Sequence, residues 1–299
     1  MSDPAHPHPS NVKLYGLLAF MLVLWSANYI VGKVILREVP GVLASGIRLA
    51  FSSLGMVPIY LWSRHRGVSQ PHPGRALLKL SLLGIIGVGL NQLTFLAGLA
   101  RTSVGHGALI IALTPALVLL IAALVGLEKI TARKLGGLAL AIAGVAVLQI
   151  QPGKFEGASL LGDFLMFLCA LSFAAFTVAG KGITARFDTV TVTTFAYCAS
   201  GLTVSPVILA YYRDFPFASI SAFAWIAMVY MAWIPSLLGL SIYYYALRYI
   251  PASRVSLQSY AQPLMATMFA VLLLGEPLTG GLLASGGLVL SGVFVAGRR

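Results

Sequence analysis

The sequence predicts an all-α membrane protein in which ten transmembrane helices form two inverted repeats of five. Of its 299 residues, 59% are hydrophobic and 9% are charged, whereas a soluble domain usually carries about 25% charged residues. Shifting the chain by 148 residues lays its second half over its first without a gap. The shift pairs five prominent positions: Gly32 with Gly180, Lys33 with Lys181, Pro115 with Pro263, Glu128 with Glu276, and Gly144 with Gly292. Because each copy contains an odd number of apolar spans, the second copy must enter the membrane in the opposite orientation.

The ten spans follow from the length of the apolar runs, since a helix needs about 20 apolar residues to cross the hydrocarbon core. The first repeat contains spans near 12–33, 39–62, 76–100, 104–126 and 131–150. The second repeat contains spans near 160–182, 190–212, 220–247, 252–274 and 278–297. These spans divide the chain into a cytoplasmic tail at 1–11, a first repeat at 12–150, a linker at 151–159 and a second repeat at 160–299.

The Lys and Arg residues of the short connections predict the orientation. With a cytoplasmic N-terminus, fourteen of them lie on the cytoplasmic side and five on the opposite side, and Arg48 lies within the second span. Both termini are therefore expected in the cytoplasm. The equivalent residues Lys33 and Lys181 then fall on opposite faces, as inversion requires.

The net charge of +12 does not indicate nucleic-acid binding, because the basic residues lie between apolar spans rather than in one patch. Lipid headgroups are the expected partners of these charges. The two cysteines, Cys169 and Cys198, lie in apolar stretches, and no Cys/His cluster indicates a metal or a cofactor. The first apolar run has a repeat counterpart and lacks a convincing cleavage site, which predicts a retained helix rather than a signal peptide.

Two stretches of the chain carry a family resemblance. Residues 95–148 read FLAGLARTSVGHGALIIALTPALVLLIAALVGLEKITARKLGGLALAIAGVAVL, and residues 243–295 read YYYALRYIPASRVSLQSYAQPLMATMFAVLLLGEPLTGGLLASGGLVLSGVFV. The resemblance is carried by the Tyr245-Ala246-Leu247 segment, the mid-helix prolines and the Gly-rich last helices of the two repeats. It is also carried by the Gly-Leu-Glu turn at Glu128 and the Leu-Gly-Glu turn at Glu276. Over nearly its whole length the chain resembles the paired EamA domains of the drug/metabolite transporter superfamily.

The resemblance implies a ten-helix exporter of small metabolites, with a central cavity lined by helices 1, 3, 4, 6, 8 and 9. The chain is similar to the bacterial amino-acid exporters of that family, including the aromatic amino-acid branch, and this similarity implies a location in a bacterial inner membrane. The same motifs also recur in members that carry drugs, sugars and nucleotide sugars.

Polar side chains at mid-membrane depth are the candidate substrate-binding residues, because hydrocarbon disfavours a polar group without a partner. In the first span, Trp25, Asn28 and Tyr29 share one helix face by their i, i+3, i+4 spacing. An aromatic platform beside an amide suits a zwitterionic amino acid. An interhelical hydrogen bond from Asn28, with the aromatic rings at the membrane interface, explains the pattern equally well.

The third span carries adjacent Asn91 and Gln92, which lie about 100° apart around the helix axis. At most one of them is expected to face a cavity squarely. Asn91 is preferred because it shares a stripe with Phe95 and Gly98. Gln92 could instead hold two helices together.

The fourth and ninth spans carry the equivalent pairs Thr114-Pro115 and Gln262-Pro263 near their centres. Proline removes a backbone hydrogen bond, and the carbonyl freed at the kink can bind an ammonium group. Gln258 lies one turn before Gln262 and makes the ninth span the most polar of the ten. A purely structural kink, satisfied by a side chain or by water, is the equal alternative.

Aromatic residues complete the predicted substrate site. Phe176 in the sixth span and Trp233 in the eighth are the candidates to wall an apolar pocket. The run of three tyrosines at 243–245 is explained at least as well by an interface belt.

The acidic residues bear on energy coupling, because all eight fall in the tail, in connections or at span ends. A proton or sodium relay normally needs a carboxylate near the midplane. Transport is therefore expected to be uncoupled or to proceed by exchange.

Two functions remain open at this point. One is export of amino acids, including aromatic and apolar ones, by alternating access. The other is transport of anionic metabolites, such as sugar phosphates or nucleotide sugars, by means of Arg48, Lys33 or Lys181. The resemblance argues against Arg48, because it does not place the second helix in the cavity.

An enzyme is not expected, since the sequence shows no nucleophile and base pair, metal set or carboxylate dyad. A monomer is favoured. The small-residue faces of the fifth and tenth helices leave a dimer open.

Overall fold

The computed structural model describes residues 9–69, 74–127, 131–150, 159–184, 187–250, 255 and 261–297. Within these residues the regular structure is helical, without a strand. We number the helices in chain order and keep one label where a π turn or a short break interrupts a helix. They are α1 (Asn11–Ile35), α2 (Gly41–His65), α3 (Gly74–Leu99), α4 (Val104–Leu124), α5 (Ala132–Ile150), α6 (Leu160–Thr184), α7 (Thr189–Tyr211), α8 (Ala222–Tyr249), α9 (Ala261–Leu274) and α10 (Gly280–Gly297).

Seven helices of the described chain are long and apolar enough to cross a membrane, namely α1 to α4 and α6 to α8. The helices α9 and α10 contribute shorter apolar stretches, Gln262–Leu274 and Gly280–Gly292. The described residues therefore agree with an all-α multi-pass membrane protein. They do not confirm the count of ten spans that the sequence predicts.

Short polar side chains fix the starts of several helices. Ser103, Asp188 and Ser221 each accept a hydrogen bond from the backbone N–H three residues further on, at the starts of α4, α7 and α8. Such caps satisfy amides that have no partner within the helix. After α4 and α9 the chain turns at Gly126 and Gly275, whose φ angles of +76° and +69° favour glycine. The connections can therefore be short.

The two halves of the chain pack through equivalent helices. The helix α2 lies along α7, its counterpart under the 148-residue shift, and α5 lies along α10. Near the start of α2, Gly46 faces Val204, whose side chain would lie 3.5 Å from a Cβ atom added at Gly46. Further along α2, Ser53 donates a hydrogen bond to the carbonyl oxygen of Tyr197 at 2.8 Å. From Gly46 to Ser53 the residue numbers rise along α2, whereas those of their neighbours on α7 fall from Val204 to Tyr197. These two helices therefore run antiparallel.

Equivalent connections lie at opposite ends of the bundle. At one end the α1–α2 connection meets the start of α8, where the Glu38 carboxylate accepts hydrogen bonds from Ser221 N and Oγ at 2.7 and 2.8 Å. At the other end the α2–α3 connection meets the α6–α7 connection, where Ser69 Oγ donates to Asp188 Oδ1 at 2.9 Å. We call them the Glu38 end and the Asp188 end. The α1–α2 connection and its counterpart, the α6–α7 connection, therefore lie at different ends.

The helices α3 and α8 each contain a π-helical segment at an equivalent position, Ile85–Leu90 and Ala232–Leu238. A serine from the neighbouring helix bonds to the backbone where each segment begins. Ser200 donates to Gly84 O at 3.0 Å, and its repeat counterpart Ser52 donates to Ala232 O at 3.1 Å. Segments of this kind are frequent at functional sites. Neither π-helical segment was expected from the sequence.

Polar groups join several helices at the Glu38 end. Lys33 Nζ donates to Thr102 O at 2.6 Å, and Thr102 Oγ1 donates to Asp163 Oδ1 at 2.6 Å. His106 Nδ1 lies 3.5 Å from Asp163 Oδ2. Glu276 accepts a hydrogen bond from the first backbone N–H of α4 at 3.0 Å, where the helix dipole favours an anion. These contacts tie α1, α4, α6 and the α9–α10 connection together.

Candidate functional site

A cavity of about 100 Å³ lies between the two halves of the chain and is lined by α1 to α4 and by α6 to α9. By this measure it has room for several water molecules or a small solute. The structure places seven of the ten predicted substrate-binding residues in its lining: Trp25, Asn28, Tyr29, Asn91, Gln92, Thr114 and Gln262. Gln258 lies outside the described residues.

Aromatic rings form part of the cavity wall. Trp25 packs edge to face on Phe173, with ring centroids 5.5 Å apart. Tyr29 packs edge to face on Phe95, with centroids 5.1 Å apart. Trp25 Nε1 donates to Pro235 O at 2.9 Å, which fixes the indole against the π segment of α8. The rings provide an apolar surface of defined shape.

Arg48 supplies a cation to the described lining. Its side chain is 5% exposed, and Nε and Nη2 donate to Ser236 Oγ at 3.0 and 2.8 Å. Among the described residues, no carboxylate lies within ion-pair distance of the guanidinium. The resemblance implied that helix 2 lies outside the cavity, and the structure corrects this expectation. The helix α2 packs against both α7 and the π segment of α8, and this position brings Arg48 to the cavity.

Gln92 and Tyr197 complete a hydrogen-bonded group around Ser236. Gln92 Nε2 donates to Tyr197 OH at 3.2 Å and to Ser236 Oγ at 3.4 Å. Ser236 Oγ itself donates to Met231 O at 2.8 Å, across the π turn. We call Arg48, Gln92, Tyr197 and Ser236 the Arg48 cluster. It joins α2 and α3 of the first half to α7 and α8 of the second.

Three buried oxygens of the lining have no hydrogen-bond partner among the described residues: Asn28 Oδ1, Tyr29 OH and Gln92 Oε1. The side chains of Asn28 and Gln92 are 8% and 5% exposed. A buried polar atom that lacks a partner costs about 1–3 kcal/mol. These oxygens can therefore gain stabilisation from a hydrogen-bond donor that enters the cavity.

Asn91 and Gln92 both line the cavity, although the sequence predicted that at most one would face it squarely. Asn91 Nδ2 donates to the carbonyl oxygen and the sulfur of Cys169 in α6, both at 3.0 Å. Gln92 instead reaches α7 and α8 through the Arg48 cluster. The two side chains, about 100° apart on α3, therefore bond to different neighbouring helices while both line the cavity.

The mid-span Pro115 lies close to a helix start. The helix α4 is interrupted after Ile111, and Pro115 occupies the first turn of the segment that begins at Thr114. The Thr114 hydroxyl donates to Ile111 O at 2.6 Å, so this carbonyl is already bonded. Pro263 is buried in the described part of α9, beside Gln262 in the lining. Thr114 therefore supports the break as well as lining the cavity.

The structure does not place Phe176 or Trp233 in the described lining. Phe176 packs against Gly87 and lies edge to face with Tyr244, with ring centroids 5.3 Å apart. Trp233 is 49% exposed, and its Nε1 donates to Phe51 O at 3.1 Å. On α6 it is Phe173, nearly one turn before Phe176, that reaches the cavity.

Sequence reasoning missed Tyr197 and underrated Arg48. An arginine inside an apolar span, without an acidic residue in that span, was the available signal for Arg48. Tyr197 carried no comparable signal, because α7 is rich in Thr and Ser along its length. Among the described residues there is no group of three His, Cys, Asp or Glu side chains arranged to hold a metal ion.

Comparison with known proteins gives the class to which this cavity belongs. A model of the EamA-like transporter family matches residues 13–150 and again residues 160–298. The protein is a membrane transporter rather than an enzyme. The chain belongs to the EamA-like transporter family.

Two relatives have names that state a kind of cargo. A probable terminal-alkyne amino-acid exporter of Streptantibioticus cattleyicolor is 26% identical, over 94% of this chain and 92% of that protein. A probable amino-acid metabolite efflux pump of Salmonella typhimurium is 26% identical, over 94% of this chain and 93% of that protein. A solved structure at a TM-score of 0.68 and 20% identity covers 96% of this chain and 97% of its own, and it supports the fold alone.

Proposed function

We propose that the protein exports small metabolites, chiefly amino acids that include aromatic and apolar ones, across the bacterial inner membrane. It works by alternating access around the central cavity, without a coupling ion or by exchange. The names of the two relatives support this cargo class.

The observation that carries the proposal is the composition of the cavity wall. Aromatic rings, carboxamides and one guanidinium surround the same small space between the halves of the chain. An apolar surface with a few fixed polar groups is typical of a site for a small organic molecule. The position between the halves is where alternating access requires the substrate to bind.

The architecture that goes with this function is a pair of inverted five-helix repeats, 12–150 and 160–299, with both termini in the cytoplasm. Three observations support it. The family model matches twice, α2 and α7 run antiparallel, and the α1–α2 and α6–α7 connections lie at opposite ends. The same proposal includes a cytoplasmic tail at 1–11, a linker at 151–159 and a count of ten spans.

The lack of a coupling ion is proposed from the acidic residues. The described lining contains no carboxylate. The buried acid Asp163 lies at the Glu38 end, where it accepts a hydrogen bond from Thr102.

Transport of anions such as sugar phosphates is less well supported. It would draw on Lys33 and Lys181 as well as Arg48. Lys33 Nζ instead donates to Thr102 O and is not among the lining residues. Cargo with several negative charges would therefore meet a single described cation.

The test is exchange in liposomes that contain the purified protein and unlabelled amino acid. Uptake of labelled Phe or Thr that depends on internal amino acid, but not on a pH gradient, is the expected result. Liposomes without protein serve as the control. If neither amino acid enters under any gradient, the proposed cargo class is wrong. If uptake requires the gradient, the uncoupled mechanism is wrong.

A further inference from the structure

The cavity contains groups that complement two oppositely charged groups of one small molecule. We propose that it recognises the two charged groups of an α-amino acid separately: Arg48 binds the carboxylate, and the oxygens of Asn28, Tyr29 and Gln92 accept hydrogen bonds from the ammonium group. The inference rests on the proposed function and deepens it, because it requires a substrate with a free carboxylate and a free amine.

The carboxylate position follows from the state of Arg48. A buried guanidinium normally has a carboxylate partner, and here its hydrogen bonds within the described residues go to one neutral hydroxyl, that of Ser236. A guanidinium has five N–H donors, and its flat shape matches a carboxylate in a bidentate pair. Arg48 therefore has donors left for a substrate, and the substrate would supply the missing negative charge.

The ammonium position follows from the three unpartnered acceptors. Asn28 Oδ1, Tyr29 OH and Gln92 Oε1 are buried in the lining and accept no hydrogen bond from the described residues. An ammonium group has three N–H donors and no acceptor. It can satisfy these oxygens without leaving a polar atom of its own unpaired.

Molecules with only one of the two groups fit less well. A simple amine would bring a second cation into a low-dielectric space that already contains Arg48, where like charges repel strongly. A simple carboxylic acid would pair with Arg48 and leave the three acceptors as they are. The zwitterion alone satisfies both sets of groups.

The native Cys169 provides a binding assay that does not depend on transport. Its side chain lines the cavity, so an occupant should slow its alkylation by N-ethylmaleimide. Purified protein carrying Cys198→Ser would be alkylated in the presence of phenylalanine, phenethylamine or 3-phenylpropionate. We expect phenylalanine to protect Cys169 at a concentration about tenfold or more below the other two, in line with the loss of charge-assisted hydrogen bonds.

Variants separate the two ends of the site. Arg48→Met should abolish the preference for phenylalanine over phenethylamine, and Arg48→Lys should retain part of it, because Lys keeps the charge without the bidentate shape. Asn28→Leu should reduce the preference for phenylalanine over 3-phenylpropionate. It leaves no unpaired polar atom behind, so it tests the proposal even if the Arg48 variants fail to fold. Arg37→Gln, at an exposed position of the α1–α2 connection, is the matched control and should protect like the parent protein.

Retention of both preferences in Arg48→Met and Asn28→Leu would overturn the inference, as would equal protection by all three compounds in the parent protein. If protection follows the expected pattern but liposome exchange fails, the proposed transport function is wrong and the recognition site stands. If exchange works while the variants keep the parent selectivity, only the recognition site is wrong.

Discussion

Two carboxamides of the cavity lining, those of Asn91 and Asn28, differ in their hydrogen-bond partners. The Asn91 amide donates to Cys169 in α6 and so holds two helices together. The Asn28 oxygen has no partner among the described residues. Loss of the first side chain should therefore disturb packing, whereas loss of the second should mainly disturb the substrate site.

Substitution of Asn28 by Ala should lower amino-acid exchange about tenfold, which corresponds to the loss of one hydrogen bond to a charged group. The unfolding temperature in detergent should stay close to that of the parent, because an unpaired acceptor is removed. Gln262→Ala is expected to impair exchange in the same way. The matched control is Thr203→Ala, at an exposed position of α7. Undiminished exchange in both cavity variants would contradict the site assignment.

Helix periodicity was sufficient to predict which side chains share a face, and not which neighbour that face meets. Trp25, Asn28 and Tyr29 reach one cavity, as their spacing predicted. The bond from Arg48 to Ser236 joins residues 188 positions apart, and its existence depends on how α2 packs against α8. Phe176 shows the same limit, because nearly one helical turn separates it from the lining residue Phe173.

Close approach of helices sets the form of the wall around the cavity. At Gly87, inside the π segment of α3, an added Cβ atom would collide with the ring of Phe176. The segment therefore brings the backbone of α3 into direct contact with α6. This feature had no signal in the sequence, since a glycine in a membrane span is common.

Gly87→Ala should destabilise the protein by about 1–3 kcal/mol, the usual cost of overpacking a filled interior. Thermal unfolding in detergent would measure it. Gly16→Ala in α1 is the control, because an added Cβ there meets no atom within 4 Å. An unchanged unfolding temperature for Gly87→Ala would show that α3 and α6 are less tightly packed than described.

The stability that the α1–α2 connection contributes to the fold is expected to depend on pH. Hydrogen bonds from the backbone and side chain of Ser221 lower the pKa of Glu38 below its ordinary value of 4.5. A lowered pKa in the folded state stabilises the protein above the unfolded pKa, and this stabilisation is lost as the pH falls through the folded value.

The pH test compares Glu38→Gln with the parent in thermal unfolding from pH 7 to pH 3. The variant should unfold at a lower temperature at neutral pH, and the difference should shrink below about pH 4. Asp214→Asn, at an exposed position of the α7–α8 connection, is the control. A difference that is constant across this range would exclude the Glu38 carboxylate as its cause.

The polar contacts at the Glu38 end bear on the access of the cavity to either side of the membrane. Thr102 lies at the centre of this group, since it accepts from Lys33 and donates to Asp163. A transporter that opens at this end must break some of these contacts. Under the proposed alternating access, their strength would influence how often the cavity is reached from that side.

Thr102→Val should weaken this group of contacts, because it removes the hydroxyl and leaves a buried oxygen of Asp163 without that donor. Labelling of Cys169 by a membrane-impermeant thiol reagent should become up to about tenfold faster from the Glu38 side. Thr203→Val is the matched control. An unchanged labelling rate in Thr102→Val would contradict a role for these contacts in access to the cavity.

For the whole molecule, the 148-residue repeat accounts for the pairing of α2 with α7 and of α5 with α10, since equivalent helices of a duplicated unit can meet near its axis. This pairing was not predicted from the sequence. The repeat could not predict how the halves differ. Four polar residues of the first half, Asn28, Arg48, Asn91 and Gln92, correspond under the shift to Phe176, Ala196, Gly239 and Leu240.

The difference between equivalent residues of the two halves matters for the evolution of such a chain. A homodimer of one five-helix unit would line its central cavity with two copies of every residue, so two arginines would face each other. Fusion of the two copies into one chain removes that constraint and allows a single guanidinium on one side. A nearly symmetric scaffold can then bind a molecule that carries one positive and one negative group.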